Sequence, residues 1–187
     1  MTVRTLNSIT PVREPRVRLT LAQALLKGRK LDAVVRDATM LGVSTIQPIL
    51  SDRTEIPLAA TARNGTADRW QKIAVSSAKQ CGHAVVPRVH TPMTLERLIS
   101  ETRNERRILL VEPTASIKQG GLQTLVNQPT PDHATITIGP EGGWANIEIE
   151  RAAAGGFELL TLGSRTLRAD ATPIAFLAVL QFLWGDL

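Results

Sequence analysis

The 187-residue chain has one cysteine, Cys81, no tyrosine, and only 3% aromatic residues. A lone thiol excludes an internal disulfide and fits a reducing compartment, so a cytoplasmic location is expected. With so few aromatics, the core must be aliphatic. No run of about 18 apolar residues occurs, which excludes a membrane-spanning helix. The amino terminus carries no apolar export signal. His83, His90 and His133 stand apart, and no His/Cys cluster has metal-ligand spacing. The GxGxxG spacing of dinucleotide sites is absent, and no Gly-Lys-Ser/Thr follows a glycine-rich turn as it would in a P-loop.

What is present is an ordinary globular mixture, 43% hydrophobic and 21% charged, with a net charge of +5. The charge is unevenly placed. Residues 1–30 hold Arg4, Arg13, Arg16, Arg18, Lys27, Arg29 and Lys30 against Glu14 alone, so the rest of the chain is near neutral. A leading basic patch on a neutral body suits a polyanion such as RNA. Residues 1–16, with Pro11 and Pro15 and no periodicity, read as a basic flexible arm ahead of one domain at 17–187.

Along that domain, strands alternate with helices. Val17–Leu26 reads as a strand. Leu31, Val34, Val35, Ala38 and Leu41 mark an amphipathic helix stopped by Gly42. Ser44–Leu50 is a strand in which Pro48 favours an edge position or the strand's end. Residues 51–65 are a loop. Thr66 is expected to cap a helix bearing Trp70, Ile73, Ala74, Ala78 and Cys81. Pro87 and Pro92 bracket a connector, and a short helix follows at 94–102. Ile108–Val111 is a buried strand, Gly120-Gly121 a turn, and 122–127 a weak helix. Ala134–Ile138 is a strand, 147–154 a helix ended by Gly155-Gly156, and Glu158–Leu162 a strand. Thr172 caps a final helix with Pro173 in its first turn. This pattern predicts an α/β fold with a mostly parallel, helix-covered sheet. The last helix, Ile174–Trp184, is apolar nearly all round, so it must be buried in the fold or between two subunits.

The most informative stretch is Ile138-Gly139-Pro140-Glu141-Gly142-Gly143. A strand breaks into a glycine-rich turn just before a helix, which exposes main chain at the carboxyl end of a sheet, where open α/β folds bind ligands. Two further loops leave strand ends, at Leu110-Val111-Glu112-Pro113 and at 163–169. The second of these reads Leu162-Gly163-Ser164-Arg165-Thr166-Leu167-Arg168.

Taken in order, Gly-Pro-Glu-Gly-Gly, then Trp144 and Glu148, then Gly156-Phe157, then Leu-Gly-x-Arg-x-Leu-Arg resemble the carboxyl-terminal region of the SPOUT methyltransferases. The RsmE-type family, which methylates N3 of a uridine in small-subunit ribosomal RNA, is the most similar. Leu41-Gly42-Val43, Arg69-Trp70, Gln80, Gly82 and Pro87 extend the resemblance over residues 19–184. It implies a SPOUT α/β-knot, a deep trefoil knot of a kind rare among folds. It also implies S-adenosylmethionine as cofactor, held by Leu110, Val111, Glu112, Ile138, Gly139, Pro140, Gly142, Gly143, Leu162, Gly163, Ser164 and Leu167. A homodimer through the last helix is implied as well. Arg168 or Arg165 would stabilise the anion left on a deprotonated uridine or hold a phosphate. Glu141 would hold its turn, and Arg53, Arg69 and His83 are weaker RNA-contacting candidates.

The sequence also departs from the family pattern. Family members carry an amino-terminal RNA-gripping barrel, and the residues ahead of position 19 are too few for one. Met40 stands for a glutamate, His83 for an arginine, Ala169 for a threonine, Asp170 for a glutamate and Ala145 for a serine cap. These changes spare the cofactor loops and fall where RNA or the target base would meet the protein. Three readings follow: an RNA uridine methyltransferase, an S-adenosylmethionine enzyme acting on a small molecule, or a non-catalytic remnant.

Overall fold

The computed structural model describes residues 13–55, 65–102, 105–115 and 119–184. In chain order the elements are β1 (Arg18–Ala24), α1 (Lys30–Met40), β2 (Thr45–Leu50), α2 (Thr66–Cys81), β3 (Arg88–Val89), β4 (Met93–Thr94), α3 (Leu95–Glu101), β5 (Arg106–Leu110), β6 (Gly120–Gly121), α4 (Gln123–Val126), β7 (His133–Ile138), α5 (Asn146–Ala154), β8 (Glu158–Thr161) and α6 (Thr172–Trp184). The strands form one sheet in the order β3-β2-β1-β7-β5-β8-β6, with β4 also paired to β2. Every pairing is parallel.

Strand alternation divides the core into two layers. Leu19 and Leu21 of β1, Ile108 of β5 and Ile136 of β7 pack with Val34, Val35 and Trp70 of α1 and α2, and with Phe176 and Leu177 of α6. Ala22, Ile49, Leu109 and Leu159 point the other way, against Leu95 and Leu98 of α3 and Ile149 and Ala152 of α5. Helices therefore cover both faces, as the alternating pattern predicts. Among the described residues, no helix is long and apolar enough to cross a membrane.

Several local expectations are corrected. Pro48 is neither at an edge nor at a strand end, because β2 is paired on both sides. The Ile49 oxygen faces β1, accepting from Leu25 N, whereas the Ile46 oxygen faces β3, accepting from His90 N. Pro48 shares the direction of Ile46, so its missing N–H falls in the gap between β3 and β4. The 87–92 connector contains β3, and Gly120-Gly121 is a short strand on β8 rather than a turn. Neither threonine caps its helix. Gly65, in the left-handed conformation, precedes α2, and the Thr172 hydroxyl donates back to the Arg168 carbonyl at 2.9 Å.

The arm at 1–16 lies outside the described residues as far as position 12, as do residues 56–64 of the 51–65 loop. Its last residues are docked rather than free. The Glu14 carboxylate accepts from Val85 N at 3.2 Å, and Pro15 sits against Gly42, where a side chain on the glycine would strike it. Burial of Val17 then leads directly into β1.

Candidate functional site

The carboxyl ends of β7, β5 and β8 lie side by side, with β5 in the middle. The 139–145 and 163–169 loops therefore do not leave adjacent strands, and the 111–115 loop lies between them. Together these loops enclose a cavity of about 360 Å³, within the size range of small-ligand sites. Leu110, Val111, Glu112, Ile138, Gly139, Pro140, Gly143, Leu162, Leu167, Arg165 and Arg168 all line it. Gly142, Gly163 and Ser164 do not.

Backbone geometry explains the glycines. Gly143 has φ of 67°, and a Cβ there would lie 2.7 Å from a Glu112 carboxylate oxygen. A Cβ on Gly139 would lie 3.1 Å from the Trp144 ring. That indole crosses to β5, where its Nε1 donates to the Leu110 carbonyl at 2.8 Å. Gly142 faces outward: its carbonyl accepts from Arg53 Nη1 at 2.9 Å, and the nearest atom to a Cβ there is Arg53 Cβ at 3.3 Å. Its place in the turn is secured by Arg53 rather than by the cavity.

Two residues overlooked at the level of sequence anchor the β7 turn. Gln23, fully buried in β1, directs its Nε2 at the carbonyls of Ala24, Ile138 and Gly139 at 3.1, 3.4 and 3.3 Å. The available signal was an amide in the apolar run Leu21-Ala22-Gln23-Ala24-Leu25. Lys30, the first residue of α1, also lines the cavity and donates to Glu141 Oε1 at 2.8 Å. Lys27 N donates to the same oxygen at 3.2 Å. Burial pushes the Glu141 carboxyl up, but the Lys30 ammonium and backbone donors outweigh it and hold the group below its ordinary value.

The turn is tied from below as well. Glu148 of α5 is only 1% exposed, accepting from Asp52 N at 3.0 Å and from Ala145 N at 2.9 Å. Its carboxyl is raised by burial. At Ala145 the side chain caps nothing, so Glu148 supplies the bond at this helix start.

The two arginines differ. Arg168 gives Nε and Nη2 to the two Asp170 oxygens at 3.0 Å each, with its side chain 74% exposed. That pairing holds the Asp170 carboxyl below its ordinary value. Arg165 is exposed at the cavity. The three RNA-contact candidates do not line the cavity. Arg53 lies against the outside of the turn. Arg69 pairs with Asp32 at 2.8 Å, whose carboxylate also accepts from Trp70 Nε1. His83 lies 3.7 Å from Glu14, near the amino end of the sheet, where Arg88 N bonds to Ser44 O. Among the described residues, no group of His, Cys, Asp and Glu could hold a metal ion.

Residues 13–181 match the RNA methyltransferase domain family. The chain belongs to this family. It is 32% identical, over 97% of its length, to ribosomal RNA small subunit methyltransferase E of Synechocystis sp., and spans 59% of that relative. The enzyme of the same name from Mesomycoplasma hyopneumoniae is 30% identical over 88% of this chain, which spans 69% of it. Among solved structures, Lpg2936 of Legionella pneumophila, in complex with SAM, superposes with a TM-score of 0.84 at 29% identity, covering 94% of this chain and 70% of that one. Ribosomal RNA small subunit methyltransferase E of Neisseria gonorrhoeae, bound to S-adenosyl methionine, gives 0.80 at 31% identity, covering 93% and 69%. For this family member, the alternating α/β architecture and the resemblance of its strand-end loops therefore stand.

Proposed function

We propose that the chain is an S-adenosylmethionine-dependent methyltransferase acting on a uridine N3 of small-subunit ribosomal RNA, with the family's deep carboxyl-terminal trefoil knot. The observation that carries this reading is the cavity bounded by three strand-end loops, together with the SAM-bound structures of similar fold. The residues fit the cofactor. Gly139 and Gly143 leave main chain open where a Cβ would meet Trp144 or Glu112. Leu110, Val111, Ile138, Leu162 and Leu167 offer apolar walls to an adenine.

Bound there, S-adenosylmethionine would supply an electrophilic methyl group, with the thioether as the leaving group that keeps the electron pair. The protein's share of the work is alignment and electrostatics. The loops hold the donor and exclude water from it. Arg165 and Arg168 stand at the mouth, where an acceptor that has released its N3 proton to solvent would carry negative charge on its imide oxygens. A homodimer through α6 goes with this reading, as does a cytoplasmic location. The outer side of α6 carries Ile174, Ala178 and Val179, all only partly buried, and a well-exposed Phe182.

A small-molecule acceptor is the second reading. It is favoured by one observation: Arg69 and His83 face Asp32 and Glu14 rather than the cavity. Methyl-labelled cofactor, incubated with unmodified small-subunit ribosomal RNA or with a metabolite extract, separates the two. The proposal predicts label in RNA and an RNA affinity that falls steeply with salt. Label in a metabolite alone would favour the second reading, and absence of calorimetric cofactor binding would overturn both.

A further inference from the structure

Among the described residues, Lys30 is the only one lining the cavity from outside 110–172. It reaches the site because β1 lies next to β7 in the sheet, which sets the β1–α1 loop beside the β7 turn. Gly28, with φ of 64°, turns that loop back toward the start of α1. The Lys30 side chain is 36% exposed, about half as open as that of Arg168. Among the described residues its one bond goes to Glu141, which leaves two of its three protons for a ligand. Arg168, in contrast, spends two donors on Asp170.

The four groups form one cluster. Lys30 acts electrostatically on Asp170 as well as on Glu141, and Glu141 acts on Arg168 as well as on Lys30. All four line the cavity, so two acids and two cations stand together there. The less solvated cation exerts the stronger field on a nearby anion, because water screens it less. It is also carried by the first turn of a helix and held by a carboxylate that stays ionised.

We propose that Lys30 contacts the deprotonated acceptor and stabilises its negative charge, with Glu141 as the residue that positions the ammonium. This rests on the methyl-transfer reading and assigns the acceptor side of that site a residue from the amino-terminal half of the chain. The cluster is neutral overall, so it suits an acceptor that arrives uncharged and becomes an anion only at the reacting nitrogen. A group that arrived as a dianion would compete with both carboxylates. A cyclic imide fits that description.

The test compares the full chain with Lys30→Gln and Lys30→Arg, using small-subunit ribosomal RNA as acceptor and following cofactor binding by calorimetry. Lys30→Gln should leave cofactor affinity within a few-fold and lower kcat about 100-fold. The ascending limb of its pH–rate profile, which reports loss of the acceptor's N3 proton, should move up by about one unit, and Lys30→Arg should restore most of the rate. A thermal melt confirms that each variant is folded. An unchanged kcat in Lys30→Gln overturns the proposal, as does a lowered kcat whose pH limb has not moved. The second result would make Lys30 a mere brace for Glu141, and Glu141→Gln would then reproduce it. If wild-type protein binds cofactor yet methylates no RNA, the acceptor reading fails and this proposal with it.

Discussion

The indole nitrogen of Trp144 donates to the carbonyl oxygen of Leu110 at 2.8 Å, across the boundary between the β7 turn and the end of β5. Both residues are buried, and both line the cavity. The bond fixes the distance between two of its three walls, while the ring fills the space that a side chain on Gly139 would occupy.

Trp144→Phe keeps much of the ring but removes the donor, leaving the Leu110 carbonyl without its partner. A loss of about 1–3 kcal/mol is expected, read as a lower urea midpoint. Cofactor affinity should fall with it, because the walls are no longer tied. Unchanged affinity in calorimetry would show that the bond serves stability alone.

The two glycines of the turn should respond differently to alanine. Gly143→Ala meets both a positive φ and a carboxylate oxygen at 2.7 Å, so it is expected to weaken cofactor binding by tenfold or more, on the order of 1–3 kcal/mol of backbone strain. Gly142→Ala meets only Arg53, outside the cavity, and should stay within a few-fold of wild type. Equal effects at the two positions would contradict the geometry.

Glu148 carries a pH signature. Burial raises its carboxyl, so between the ordinary carboxyl value and the raised one the folded protein keeps a proton that the unfolded chain has released. Its contribution to stability is therefore full below the ordinary value and declines as pH rises through the raised one. Glu148→Gln supplies one acceptor oxygen where two backbone N–H groups are served, and should lose about 1 kcal/mol at acidic pH and less at neutral pH. Denaturant titrations across that range check the sign; a gap that widens with pH would refute it.

Phe182 is 71% exposed on the outer side of α6. If α6 forms the proposed dimer, Phe182→Glu should shift sedimentation from dimer to monomer while leaving the buried row Phe176, Leu177 and Leu180 intact. A dimer that survives this change would place the interface elsewhere.

Periodicity made most of the fold legible. The apolar spacing at 31–41 and the alternation at 134–138 became α1 and β7 because each depends only on which face is buried. Partnership was harder to read. Gly120-Gly121 looks like a turn, yet it pairs with β8, since a two-residue strand is defined by its neighbour rather than by its composition. Helix α5 inverts the usual rule: Ile147 is 46% exposed while Glu148 is buried. The Glu148 carboxyl serves the Ala145 N–H at the helix's own start, which is local, and the Asp52 N–H from a distant segment, whose approach nothing within the helix signals. Likewise the strand-end loops were readable as a site, but Gly142 could not be told from Gly143 until the direction of each Cα was known.

By itself the sequence determined the alternation of strand and helix, the aliphatic core, and the three strand-end loops whose glycines and ordering mark the methyltransferase family. These features are local, written in side-chain period and backbone permission. Only the tertiary structure decided that β5 lies between β7 and β8, that Gln23 and Lys30 reach the β7 turn, and that Arg69 and His83 face Asp32 and Glu14. Such facts depend on which distant segments the sheet order sets side by side, and a parallel sheet joins residues more than a hundred positions apart, as Gln23 and Ile138 show.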